Sequence, residues 1–104
     1  MINEEILAIV ERIRENLSPK KIYLFGSFAR GDAQKYSDYD FYVVMPDGSG
    51  NPLELCQNAY CSLIGLERQR GADIIVGHES SFLERKNRPT IEREVDREGI
   101  LLYG

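Results

Sequence analysis

Gly26-Ser27 is followed, after the ten residues 28–37, by Asp38-Tyr39-Asp40, and a further aspartate stands at position 73. Each part alone is weak. A Gly-Ser pair behind an apolar run is most often a turn, and an Asp-x-Asp at the head of a strand usually faces solvent. If each residue type fills about 5–7% of positions, the four-residue pattern arises by chance on the order of once in a thousand such chains. The combination therefore merits a chemical reading. Three carboxylates brought together raise one another's pKa unless a cation lies between them. An all-oxygen donor set without His or Cys selects Mg²⁺, with Mn²⁺ as the alternative. Asp38 and Asp40, two apart on one strand, would have Cα atoms roughly 6.6 Å apart, able to straddle two ions separated by about 3.5–4 Å. Glycine at 26 lets backbone approach a phosphate closely. The amides after it, opening a short helix through 28–30, form an anion nest. Such a set suits phosphoryl or nucleotidyl transfer.

Positioning these residues demands particular elements. Ile22-Tyr23-Leu24-Phe25 is apolar on both faces and ends at Gly26, which predicts a buried central strand. Residues 38–45 predict a second strand, with Tyr39, Phe41, Val43 and Met45 on one face and Asp38, Asp40, Tyr42 and Val44 on the other. Ten intervening residues are too few for a helical crossover, so these strands should be antiparallel neighbours, setting Gly26-Ser27 beside Asp38 and Asp40. A third strand is expected over Ala72–Val76. Between the second and third strands there is room for a crossover helix, expected over 52–69 with Asn51 as N-cap, Pro52 at its first position and Leu53, Cys56, Tyr60 and Leu63 facing inward. Parallel pairing would then deliver Asp73 to the edge that carries Asp38 and Asp40. Around this core the chain predicts a helix over 3–17 capped by Asn3 and stopped at Ser18-Pro19, a short helix over 82–86, a helix over 90–98 and a last strand over 100–103.

Gly26-Ser27-Phe28-Ala29-Arg30-Gly31, Ser37-Asp38-Tyr39-Asp40-Phe41, Ala72-Asp73-Ile74-Ile75 and the closing Arg97-Glu98-Gly99-Ile100-Leu101-Leu102-Tyr103 together resemble the minimal nucleotidyltransferases (MNT) of the DNA polymerase β superfamily. The similarity spans nearly the whole chain. It implies an α+β fold of the polymerase β-like nucleotidyltransferase type, a mixed three- to four-stranded sheet flanked by helices, with residues 1–104 as a single domain. Asp38 and Asp40 would be metal ligands, and Asp73 the third carboxylate, binding metal and activating the acceptor hydroxyl. Gly26 and Ser27 would hold the triphosphate, and the family's Val-Asp is here Ala72-Asp73. Two Mg²⁺ ions and ATP as substrate follow from the same resemblance. Short members resemble the antitoxin half of HEPN/MNT pairs, in which the MNT protein places AMP on a tyrosine of a helical HEPN ribonuclease. Larger relatives that act on RNA tails or antibiotics add a helical substrate domain, for which this chain has no residues to spare. The competing function is a binding module that neutralises its partner by occlusion alone.

Composition sets the outer bounds. With 104 residues, 42% hydrophobic and 29% charged, the chain has the balance of a one-domain globular protein. A formal net charge of −4 argues against nucleic acid as a direct partner. It is no evidence for a basic partner, because three of the acids belong to the candidate site. Cys56, Cys61 and the lone His78 are too few for a structural zinc. The charged start and the lack of a long apolar run predict no membrane span and a cytoplasmic location. A Walker loop fails because Asp32-Ala33 stands where Lys-Ser/Thr is required. Arg30 has two readings of equal weight, phosphate contact or an ion pair that holds the turn. Ser37 either caps the turn or orients Asp38, and His78 reads as a local cap. Arg85, Lys86, Arg88, Arg93 and Arg97, interleaved with acids, read as a solvated helical face and as a candidate for partner contact.

Overall fold

The computed structural model describes residues 2–104. The apolar spacing of the first helix and the inward-facing apolar residues of the second strand build one side of the molecule. Helix α1 (Glu4–Leu17) starts where the Asn3 side chain accepts the Ile6 N–H at 2.8 Å, and it stops where Ser18 turns left-handed, φ 54°. Its Ile6, Ile9, Val10 and Ile13 are buried, each worth about 1.5–3 kcal/mol of transfer free energy. They pack on Ile22 and Leu24 of β1 (Lys21–Phe25), on Phe41, Val43 and Met45 of β2 (Tyr39–Met45), and on Ile74 of β3 (Ala72–His78). Between β1 and β2 lies α2 (Gly26–Arg30), and between β2 and β3 lies α3 (Pro52–Cys61). Helices α4 (Glu79–Arg85) and α5 (Ile91–Glu98) follow, before β4 (Ile100–Tyr103).

The four strands form one mixed sheet in the order β3-β2-β1-β4. Strand β1 runs antiparallel to β2, as expected from their short connection, and also to β4, while β2 runs parallel to β3. One face is covered by α1 and α3. The other carries a smaller core of Phe25, Tyr42, Val44, Phe82 and Val95, contributed by the sheet and by α4 and α5. The fold is α+β, a mixed four-stranded sheet flanked by helices, as expected. Among the described residues, no helix is long and apolar enough to cross a membrane.

Three expectations need correction. Helix α3 ends at Cys61, not at residue 69, because the chain passes into turns that need Gly65 at φ 85°. Its inward face is also different: Ala59 is fully buried and Leu55 packs on the core, whereas Leu53 and Tyr60 are exposed. Tyr60 instead reaches the sheet edge, where its hydroxyl accepts the Ile74 N–H at 2.8 Å. The short helix begins three residues earlier than expected, at Glu79, directly behind a β3 that runs on to His78.

Candidate active site

Strand pairing decides what meets at the C-terminal end of β1. Asp40 is the register partner of Phe25 on one side and of Asp73 on the other. It therefore stands between the β1–α2 turn and β3. Asp40 and Tyr42 share the face that α4 and α5 partly cover, and Tyr39 and Phe41 point the opposite way, into the larger core. Gly26 has φ 72°, a left-handed conformation, and a β-carbon there would collide with Asp40 Oδ2. Glycine is required twice over, once for the backbone and once for the carboxylate that lies against it. Helix α2 starts at this glycine with no side-chain cap, leaving first-turn amides such as that of Ser27 without a side-chain partner.

The electrostatics of Asp40 record its neighbours. Partial burial pushes its carboxyl above the usual aspartate range, and the charges of Asp73, Asp38 and Glu94 push in the same direction, while Arg30 opposes them. Asp73 and Asp38 are thus near enough to Asp40 for their charges to be felt there. Their spacing is looser than expected, however: among the described residues, no three acidic, His or Cys side chains stand close enough together to enclose an ion. Asp38 stands one residue before the observed start of β2, not within the strand as expected. Its carboxylate rests on Gly71, where an added β-carbon would come within 2.8 Å of Asp38 Oδ1. Asp73 is exposed on the face it shares with Asp40. The chemistry of an all-oxygen donor set whose negative charge is only partly offset by Arg30, beside a glycine whose β-carbon would displace Asp40, suits a hard divalent cation.

The remaining expected residues separate. Arg30 pairs with Asp32 at 3.2 Å and with Glu98 at 3.7 Å, so its guanidinium braces the turn and α5 while offsetting the charge at Asp40. Ser37 caps the turn, its Oγ accepting the Gln34 N–H at 2.7 Å. His78 occupies the N-cap position of α4 but makes no side-chain cap; Nε2 lies 2.6 Å from Gly50 O instead. Arg85 and Lys86 pair with Glu92 and Asp96, whereas Arg93 and Arg97 line an open groove of about 280 Å³ with Glu94 and Glu98. Sequence reasoning missed Glu94 and Gly71. Glu94 is hidden among alternating charges, but a glycine one residue before the expected third strand is a signal for close approach.

Known proteins bear on this geometry. Among curated proteins none matches the chain significantly. A nucleotidyltransferase from Sulfolobus solfataricus, described as putative, is 22% identical with a TM-score of 0.65, covering 94% of this chain and 76% of that one. The crystal structure of a toxin–antitoxin with AMP-PNP is 24% identical with a TM-score of 0.61, covering 98% of this chain and 74% of that one. A point mutant of the MntA-HpeT toxin–antitoxin is 27% identical with a TM-score of 0.59, covering all of this chain and 74% of that one. The family model for the nucleotidyltransferase domain matches residues 6–101, and with the β1–β2–β3 site in the place described, the chain belongs to the nucleotidyltransferase domain family.

Proposed function

We propose that this protein moves AMP from ATP to a hydroxyl of a partner protein, a tyrosine of a HEPN-family ribonuclease toxin, in a Mg²⁺-dependent reaction, and thereby acts as an antitoxin. Residues 1–104 serve as one minimal nucleotidyltransferase domain in this reading. The observation that carries it is the position of Asp40, lying on Gly26 with Asp73 as its register partner and with the charges of three acids raising its pKa. Similarity to toxin–antitoxin structures, one of them with AMP-PNP, supports both the nucleotide and the class of partner.

Asp38, Asp40 and Asp73 would hold Mg²⁺, which when bound supplies a Lewis acid for the charge developing on the α-phosphate. Gly26 and Ser27 receive the triphosphate on the free amides of α2. Asp73, exposed on the open side of the site, takes the proton of the acceptor hydroxyl. The acceptor oxygen bonds to the α-phosphorus as the bond to the bridging oxygen breaks, and pyrophosphate leaves. Arg30 tempers the site's negative charge as phosphates enter. The groove of Arg93 and Arg97 adjoins the site through Glu94 and suits contact with the acceptor protein.

Incubation with α-labelled ATP, Mg²⁺ and a purified HEPN-family protein as acceptor tests the reading. Label should pass to a tyrosine of the partner with wild type and not with Asp40→Asn. Full neutralisation of the partner by Asp40→Asn, with no label moved by wild type, would replace the transferase with an occluding module.

A further inference from the structure

Asp38 is the one acid of the site that lies outside the strands, yet its place is narrowly defined. The turn over 34–37 precedes it, β2 follows it, and Gly71 lies beside it. Arg70 connects all three. Its Nη1 donates to the carbonyl oxygens of Gln34, Lys35 and Ser37 at 3.2, 3.0 and 2.9 Å, gathering the turn that leads into Asp38. Its guanidinium carbon Cζ lies over the Phe28 ring, 5.0 Å from the centroid, which ties the same group to α2. Its own chain continues into Gly71, whose carbonyl accepts the Tyr39 N–H at 3.0 Å. Behind it, Glu5 of α1 accepts the Gln69 N–H at 2.7 Å and the Tyr39 hydroxyl at 2.6 Å, fixing both chains that flank Asp38.

A surface arginine usually spends its donors on carboxylates or water. Here the contacts are with three main-chain carbonyls of one turn, joined to a stacked ring from the helix that opens at Gly26. We infer that Arg70 is a positioning residue of the nucleotidyltransferase site: it holds the 34–37 turn against Gly71 and so sets where the Asp38 carboxylate stands for a divalent cation. The inference rests on the function proposed above. Residues that orient a ligand without touching the metal commonly change metal affinity or activity by about 10–100-fold when replaced. A flat guanidinium that also lies over a ring is poorly replaced by lysine, which offers a point charge without a plane.

The test compares wild type, Arg70→Gln and Arg70→Lys by the Mg²⁺ concentration that half-saturates AMP-PNP binding, by hydrogen exchange over residues 34–39, and by melting temperature. With Arg70→Gln the Mg²⁺ midpoint should rise at least about tenfold. Exchange over 34–39 should accelerate while α1 and β1 stay protected, and Arg70→Lys should recover part of both effects. A purely structural arginine would lower the melting temperature and leave the Mg²⁺ midpoint unchanged. That result overturns the inference, as does unchanged exchange over 34–39 in either variant. If Arg70→Gln does not fold, a wild-type midpoint for folded Arg70→Lys, with wild-type exchange, overturns it equally. Wild type that binds no AMP-PNP at any Mg²⁺ concentration overturns the proposed function itself and this inference with it.

Discussion

Two carboxylates lie on the same side of the sheet, close to residues two apart on β2, and they are treated in opposite ways. Glu92 of α5 is only 6% exposed, yet its oxygens are engaged by the Tyr42 hydroxyl at 2.7 Å and Arg85 Nε at 3.0 Å. Burial pushes its carboxyl upward, but those hydrogen bonds and the arginine's charge outweigh burial and leave it below the usual range. Asp40 is less buried and is pushed the other way, by burial and by three further acids. The sheet even makes room for both in the same manner, with Gly77 opposite the Tyr42 hydroxyl and Gly26 opposite Asp40. One cluster is satisfied within the protein and holds the fold together. The other is left in need of positive charge, as expected where a ligand must complete the arrangement.

Replacing one member of each cluster should separate function from stability. Asp40→Asn should cut nucleotide transfer by about 10²–10³-fold or more, the scale of losing one charge-stabilising group at a reacting centre. Its melting temperature should equal or exceed that of wild type, because a crowded charge has been removed. A destabilised Asp40→Asn with residual transfer intact would erase the contrast. Gly26→Ala should weaken AMP-PNP binding about tenfold or more and cost about 1–2 kcal/mol, since it imposes a left-handed strain and displaces Asp40; calorimetric titration and thermal melts read the two effects. Glu92→Ala should do the reverse of Asp40→Asn. It should destabilise by about 2 kcal/mol in urea, through the Tyr42 hydroxyl and Arg85 left unpaired, with transfer per folded molecule unchanged.

The smallest effect is a matter of pH. Because the folded-state pKa of Glu92 lies below its ordinary value of 4.5, its ionised form contributes stability that is fully present above that value. The contribution is lost as pH falls through the depressed folded pKa. Melting temperatures measured from pH 7 downward should therefore fall less steeply below pH 4.5 in Glu92→Gln than in wild type. Equal slopes would show that Glu92 does not carry this part of the acid response.

The contrast also shows what a sequence can disclose. The site's skeleton was legible because it is local: a strand ending at Gly26, a connection too short to cross over, and an Asp-x-Asp starting the return strand fix Asp40 beside Gly26 by backbone geometry alone. Asp73 followed from room for a crossover and parallel register. The second strand begins one residue later than expected, at Tyr39, so Asp38 stands just ahead of it. Helix α3 was misread because apolar residues lie on more than one of its sides, so Leu53 and Tyr60 imitated a buried stripe while Leu55 and Ala59 carried it. The Tyr42–Glu92 bond joins residues fifty apart, and Arg70 meets carbonyls over thirty residues upstream. No spacing rule connects such pairs, because packing of whole elements brings them together.

The central claim is that Asp40, not the more deeply buried carboxylate of Glu92, belongs to a cation and nucleotide site. Titration of isotope-labelled protein with Mn²⁺ and AMP-PNP, followed by paramagnetic broadening of backbone amide signals, addresses it directly. Broadening should centre on residues 26–28, 38–40 and 72–74 and spare Arg85 and Glu92. A centre of broadening elsewhere, or none at concentrations that saturate nucleotide binding, would contradict the account.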